Sequence, residues 1–252
     1  MIITYPDLNQ NYRIYVSRGS VSGAQPFGAY GRRTTAGAET NILWPDGVYA
    51  LPPAAGLQMS IVSTSANDTA AGTGVRTVDI HYLDDSLTQQ IETVTLNGLV
   101  PVLTVATNIR FIECMHMVTY GTGKAAAGTI TASNAGQNYS EISTGKVRCS
   151  SSVRMVPAGK RLLIDVIYAG SSSGAAAAST VIEVVTSNFD GHDYTADSIF
   201  FPLGASAFQD GSGGIQIPCP FSFTEGQTFG MRFETDKVAT VTGFWSGMLE
   251  DA

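Results

Sequence analysis

The sequence predicts an all-β protein, an antiparallel β-sandwich or jelly roll carrying an extended N-terminal arm. Three observations predict it. Polar and apolar residues alternate with period two through Thr77–Leu83, Ile91–Leu96 and Thr180–Thr186, as in half-buried strands. Short β-rich runs recur along the whole chain, separated by Gly, Pro, Asn and Asp turn chemistry. No stretch carries a convincing helical period. Gly occupies 27 of 252 positions, with Ala, Ser and Thr abundant, a composition of short strands and tight turns.

The opening residues, MIITYPDLNQNYRIYV, hold a short β run at Tyr12–Val16. They lack the charged start and continuous apolar core of a signal peptide. Residues 17–47 are rich in Gly, Ala and Ser, yet carry Phe27, Tyr30, Leu43 and Trp44 as isolated anchors. A disordered tail is normally poorer in aromatics. The stretch therefore reads as an arm that lies along a neighbouring surface and plugs aromatics into it. The bland alternative is a long loop packed on its own domain. Arg32-Arg33 is the one local basic cluster; it reads as a solvated pair that sits among the arm's contacts. Phe27, Tyr30, Arg32, Arg33 and Trp44 are the candidate partner-binding residues.

Val48–Ala50 and Leu57–Ser63 read as strands around a Pro52-Pro53 turn, and Thr64–Gly74 as a flexible loop. Then comes a β-hairpin: Val75–Leu83, the turn Asp84-Asp85-Ser86, and Ile91–Leu96, closed by Asn97-Gly98. Pro101–Val105, Ile109–Tyr120 and Gly128–Ser133 continue the β pattern. Beyond a loop with a short strand lie Val153–Val156 and Arg161–Tyr168, then the low-complexity loop Gly170–Ala178. Thr180–Thr186, Ile199–Leu203, Ile215–Phe223, Thr228–Glu234 and Ala239–Met248 complete the set. From Val153 onward there are enough strands for an eight-stranded jelly roll if the run around Ile109–Ile130 joins it. The expected division is residues 1–56 as an N-terminal strand and arm, and 57–252 as the sandwich, possibly in two sub-sheets.

Charged residues make up 14% of the chain, against the usual quarter. So few charges suit a surface partly covered by partners. The net charge of −7 argues against wrapping nucleic acid. No run of apolar residues is long enough to span a membrane. Cys114, Cys149 and Cys219 are widely spaced and include no CxxC, so they read as free thiols of a chain made in a reducing cytoplasm.

Candidate chemistry is sparse. Gly170–Gly174 matches G-x-S-x-G around Ser172, but that motif needs a strand-to-helix elbow, and another β run follows. Asp190 and His192, the downstream partners it would need, lie together in one loop. The loop Asn188–Asp197 is dense in oxygen ligands of the kind calcium takes, without EF-hand spacing. Asp79 and His81 share a strand face with no evident third ligand, since His116 and His192 are distant in sequence. Asn67-Asp-Thr69 and Asn138-Tyr-Ser140 match the glycosylation sequon. The reading carries no catalytic residue, cofactor or metal, and the chain is not expected to be an enzyme.

The runs VRTVDIHYLD, ETVTLNG and TNIRFIECMHMVTYGTGKAAAGTI, with the closing PCPFSFTEGQTFGMRFETDKVATVTGFWSGMLE, resemble a group of tailed-bacteriophage virion structural proteins. The resemblance covers roughly the last two-thirds of the chain and brings no catalytic motif. It implies a virion component made in the host cytoplasm. Within that class, the shortage of charge, the anchored N-terminal arm and the lack of a catalytic set favour a capsid decoration or cement protein that bridges subunits of the major capsid protein and assembles with copies of itself, as a trimer matching local threefold junctions. The alternative it leaves is a tail, fibre or receptor-binding protein whose sandwich presents loops to a host glycan, with Phe189 and Tyr194 as stacking candidates.

Overall fold

The computed structural model describes residues 8–172, 178–187, 199–208 and 213–252. The architecture is nearly all β and antiparallel, as expected. It opens, however, on helix α1, Leu8–Ser17, in place of the β run expected at Tyr12–Val16. Tyr12, Ile14 and Val16 fit a period of two, but Tyr12 and Val16 also fit one helical turn. Val16 is buried while Ile14 and Tyr15 are exposed, so the helical spacing wins. Ser20 N–H donates to the Tyr15 carbonyl and Gly19 N–H to that of Val16, and Gly19 takes φ +68°. This pair of bonds ends the helix around a left-handed glycine.

The arm is the second correction. Ala24–Thr34 is strand β1, paired residue by residue with the final strand from Ala24↔Glu250 to Thr34↔Thr240. Glu39–Ile42 is β2. The segment does add to a sheet edge, but the sheet belongs to its own chain. The physical reason lies in its glycines. A Cβ at Gly31 would stand 2.3 Å from the Leu43 carbonyl oxygen, so the Gly-rich sequence marks close backbone approach rather than looseness. Val48–Ala50, expected as a strand, is irregular.

The chain then leaves for an inserted sandwich. Its strands are β3 (Ser60–Ser63), β4 (Val75–Asp84), β5 (Gln89–Thr95), β6 (Val102–Leu103), β7 (Ile109–Tyr120), β8 (Ile130–Asn134) and β9 (Gln137–Ile142). They form two sheets, ordered β5-β4-β7 and β6-β3-β8-β9. Between them lie Met59, Ile61, Val78, Ile80, Ile130 and Ile142 among others. The β4–β5 hairpin forms as read: the Asp84 carboxylate accepts from Ser86 N–H and Thr88 N–H and fixes the turn. The loop 64–74, expected to be flexible, is instead pinned by Asp68, whose buried carboxylate accepts from Val75, Ala127 and Gly128 N–H and from the Ser63 hydroxyl.

On its return the chain supplies β10 (Arg154–Met155), β11 (Lys160–Ser172), β12 (Ala178–Ser187), β13 (Ile199–Phe208), β14 (Gly213–Thr224), β15 (Thr228–Thr235) and β16 (Thr240–Asp251). One sheet runs β1-β16-β11-β14; the other runs β10-β15-β12-β13, with β2 also on β15. Strand β2 pairs with Arg232–Thr235 and β10 with Thr228 and Phe229. They are two pieces of one strand position, interrupted by the insert. Counted that way the strands pair first with eighth, second with seventh, third with sixth and fourth with fifth. A long antiparallel ribbon rolled into two sheets has this order: it is a jelly roll. Trp245, Phe229, Phe233, Leu162, Ile182 and Val241 fill its core. The expectation that Ile109–Ile130 would complete the roll is corrected, because β1 and the β2/β10 position take those places. The pairing likewise does not follow a division at residue 56, since β1 and β2 belong to the sheets built from 154–251. Trp44, Leu83, Phe111 and Met155 form a smaller core where roll and insert meet.

Candidate functional site

The five candidate partner-binding residues separate by face. In β1, Phe27, Ala29, Gly31 and Arg33 point inward or are half-covered, while Tyr30 and Arg32 point out. Phe27 packs on Trp245 with ring centroids 6.1 Å apart. Trp44 is 1% exposed and donates its indole N–H to the Gly47 carbonyl. Arg33 is paired with Glu39 at 2.7 Å and donates to the carbonyls of Pro45 and Asp46. These three are spent inside the chain. Tyr30 and Arg32 remain available.

Tyr30 does not stand alone. It is in register with Phe244 of β16, and Phe244 is in register with Tyr168 of β11. The three rings are 44%, 42% and 40% exposed. Tyr168 reaches this face because of a β-bulge. Both neighbours of β11 shift register between Ile164 and Val166, so the inward set changes from Leu162 and Ile164 to Ile167 and Ala169. One extra residue flips every later side chain. The result is a row of three aromatics across three adjacent strands, each step ~4.5–5.5 Å. Sequence reasoning found Tyr30 but missed Phe244 and Tyr168, because strands far apart in sequence become neighbours only in the rolled sheet.

One end of the row borders a cavity of about 680 Å³. Tyr30, Arg32 and Phe244 line it from the roll; Lys146 and Arg148 line it from the insert. In a chain of net charge −7, its wall carries three cations and, among the described residues, no carboxylate.

A second cavity, about 540 Å³, opens nearby and is lined by His81, Cys114, His116, Arg148 and Arg154 among others. Asp79 is in register with His116, and His81 with Cys114. Two directly opposed pairs, two residues apart, place all four side chains on one face of the β4–β7 ladder. The third candidate ligand missing from the sequence reading is thus His116. Ligand atoms of Asp79, His81 and His116 all lie within 4.8 Å of one another. His116 Nε2 is 3.8 Å from Asp79 Oδ2, and the two imidazole centroids are 4.8 Å apart. Burial, reinforced by His116, lowers the His81 pKa against the opposing pull of Asp79. Hydrogen bonding with the Cys149 side chain holds the Cys114 thiol down to about 6 against its burial, helped by Arg154 and Arg148, while Cys149 itself is pushed up. Burial raises the Glu113 carboxyl, against Arg154 and the Gln89 side chain.

Ser172 is the end residue of β11, in register with Thr240, so it sits on a paired strand rather than an elbow. Asp190, His192, the loop 188–197 with Phe189 and Tyr194, and the 173–177 part of the low-complexity loop lie outside the described residues. No helix among the described residues is long and apolar enough to cross a membrane.

No family model matches the sequence, and no curated protein matches it. Among solved structures the chain is similar to one of the infectious bursal disease virus Gx strain, at 7% identity and TM-score 0.26, over 90% of this chain and 71% of that one. It is also similar to the VP2 subviral particle of infectious bursal disease virus, at 10% identity and TM-score 0.23, over 95% and 78%. Likeness at this level carries no argument about fold or function.

Proposed function

We propose that this chain is a virion structural protein of a tailed phage, acting as a capsid decoration protein that bridges subunits of the major capsid protein. The observation that carries the reading is the uncovered aromatic row Tyr30–Phe244–Tyr168 on a fully formed jelly roll. Tyr, Phe and Arg are the residue types that anchor protein interfaces. The row is rigid because each ring stands on a paired strand whose other face is core, so little order is lost on docking. The adjoining cations Arg32, Lys146 and Arg148 suit an acidic patch on the partner. The sequence resemblance to tailed-phage virion proteins and the 14% charge content support the same reading. The mechanism is burial of this face at subunit junctions, which raises the barrier to rupture of the filled shell. Copies of the chain meet as a trimer at local threefold positions, where one contact is made three times.

The same row beside a cavity also suits a sugar ring, which is the receptor-binding reading. Phage heads assembled without this chain separate the two. The purified protein should co-sediment with such heads and raise their rupture temperature. The double variant Tyr30→Ala, Phe244→Ala should bind at least ~10-fold more weakly. Binding to host-cell glycans with none to heads would overturn the capsid role, and undiminished head binding by the double variant would remove the row from it.

A further inference from the structure

We propose that Asp79, His81 and His116 form a binding site for a divalent transition ion, zinc above all, with its open coordination positions facing the 540 Å³ cavity. Two imidazoles and one carboxylate are the donor set of zinc sites that keep a position free for water or another ligand. The β4–β7 register runs unbroken from Val78 to His81. Asp79 and His81 sit two apart on β4, and His116 stands opposite Asp79 on β7, so all three project from one rigid face.

Three independent features point to an ion rather than to an ordinary polar surface. The first is His81. Its Nε2 is buried and has no hydrogen-bond partner, although buried polar atoms are almost always satisfied. A neighbouring imidazole is a poor substitute, while an ion shared with His116 would satisfy both rings. The second is the support of the carboxylate. Thr93 on β5 donates its hydroxyl to Asp79 Oδ1 at 2.5 Å, which leaves Oδ2 turned toward His116 at 3.8 Å. Outer hydrogen bonds of this kind fix ligating carboxylates in metal sites. The third is access. His81 and His116 both line the cavity, so an ion has an entry path and an exchangeable ligand has room.

The fit is close to what zinc needs. Donors at ~2.0–2.1 Å in a tetrahedron stand about 3.4 Å apart. The present donor atoms lie within 4.8 Å of one another, and His116 is exposed enough to rotate toward the other two. The neighbouring thiol of Cys114, in register with His81, borders the site without being counted among its ligands.

The test uses the full chain without a histidine tag, stripped with chelator. Zinc titration should give one ion per chain and a rise in melting temperature by linkage to the folded state. His81→Gln, His116→Gln and Asp79→Asn should each weaken binding at least ~10-fold while melting like the wild type in chelator. Cobalt(II) added to the wild-type protein should develop the visible bands of a low-coordinate nitrogen-ligated ion. That readout needs no variant, so it stands even if a substitution impairs folding. A cobalt spectrum identical to the hydrated ion overturns the proposal. So does undiminished zinc binding by the double variant His81→Gln, His116→Gln.

Discussion

The indole N–H of Trp245 donates to the carbonyl of Ser152 at 2.6 Å, with both residues fully buried. Ser152 stands where the chain re-enters the roll after the insert. Its N–H donates to the Leu43 carbonyl, where the chain left, and its hydroxyl accepts from Met231 N–H. One residue therefore ties the exit, the return, β15 and β16 together. Trp245→Phe keeps most of the ring's packing against Phe27 and Phe229 but orphans the Ser152 carbonyl. It should lower stability by ~1–3 kcal/mol, read as a shift of the denaturant midpoint with unchanged slope.

Gly31 and Gly243 face each other in the β1–β16 pair, both beneath Leu43. A methyl group at Gly31 meets a backbone oxygen at 2.3 Å, which cannot rotate away. Gly31→Ala should therefore destabilise by ~1–3 kcal/mol, although glycine inside a strand ordinarily weakens it. Thermal melts of the two proteins check this. Wild-type stability in the variant would mean that Leu43 is not held against the sheet.

These residues show what was legible in the sequence and what was not. Strands with clean alternation and Asx turns, such as Thr77–Leu83 and its hairpin partner, announce themselves because their burial is set locally. Strand β1 does not. Its inward positions are Phe27, Ala29, Gly31 and Arg33, small where the backbone of Leu43 crosses, so it mimics a loose arm. Long-range pairing is equally silent. Nothing near Asp79 in sequence signals His116, and nothing near Tyr30 signals Phe244 or Tyr168; register across the sheets brings them together. The split of one strand position into β2 and β10 hid which strands build the jelly roll, because the hairpins of the insert interrupt the run that would have declared them.

Asp68 was hidden by its setting in a Ser/Ala/Gly/Thr loop. Its carboxylate takes four hydrogen bonds and has no exposure. Asp68→Asn replaces one acceptor oxygen by an NH₂ that must face backbone N–H donors. The cost should be roughly 3 kcal/mol or more. It should fall on the insert, so protease cleavage within 57–149 should rise ahead of cleavage within 154–251. Simultaneous cleavage of both would show that roll and insert unfold as one unit.

Glu141 supplies a pH test. Burial lifts its carboxyl above the usual range; the Ser143 hydroxyl bond opposes this, Asp46 adds to it and Arg33 opposes it. A carboxyl that binds its proton more tightly in the folded chain than in the unfolded one costs stability when ionised. The cost is absent below the unfolded value of ~4.3. It grows as pH rises from there and is complete above the raised folded value. Glu141→Gln removes the ionisation and keeps an oxygen to accept from Ser143, which now donates at 2.7 Å. The variant should melt higher than the wild type at neutral pH, and the difference should shrink on acidification and vanish below about pH 4. Melting curves of the two proteins across that range make the comparison. A variant less stable at neutral pH would mean that attraction between ionised Glu141 and Arg33 outweighs the cost of burial.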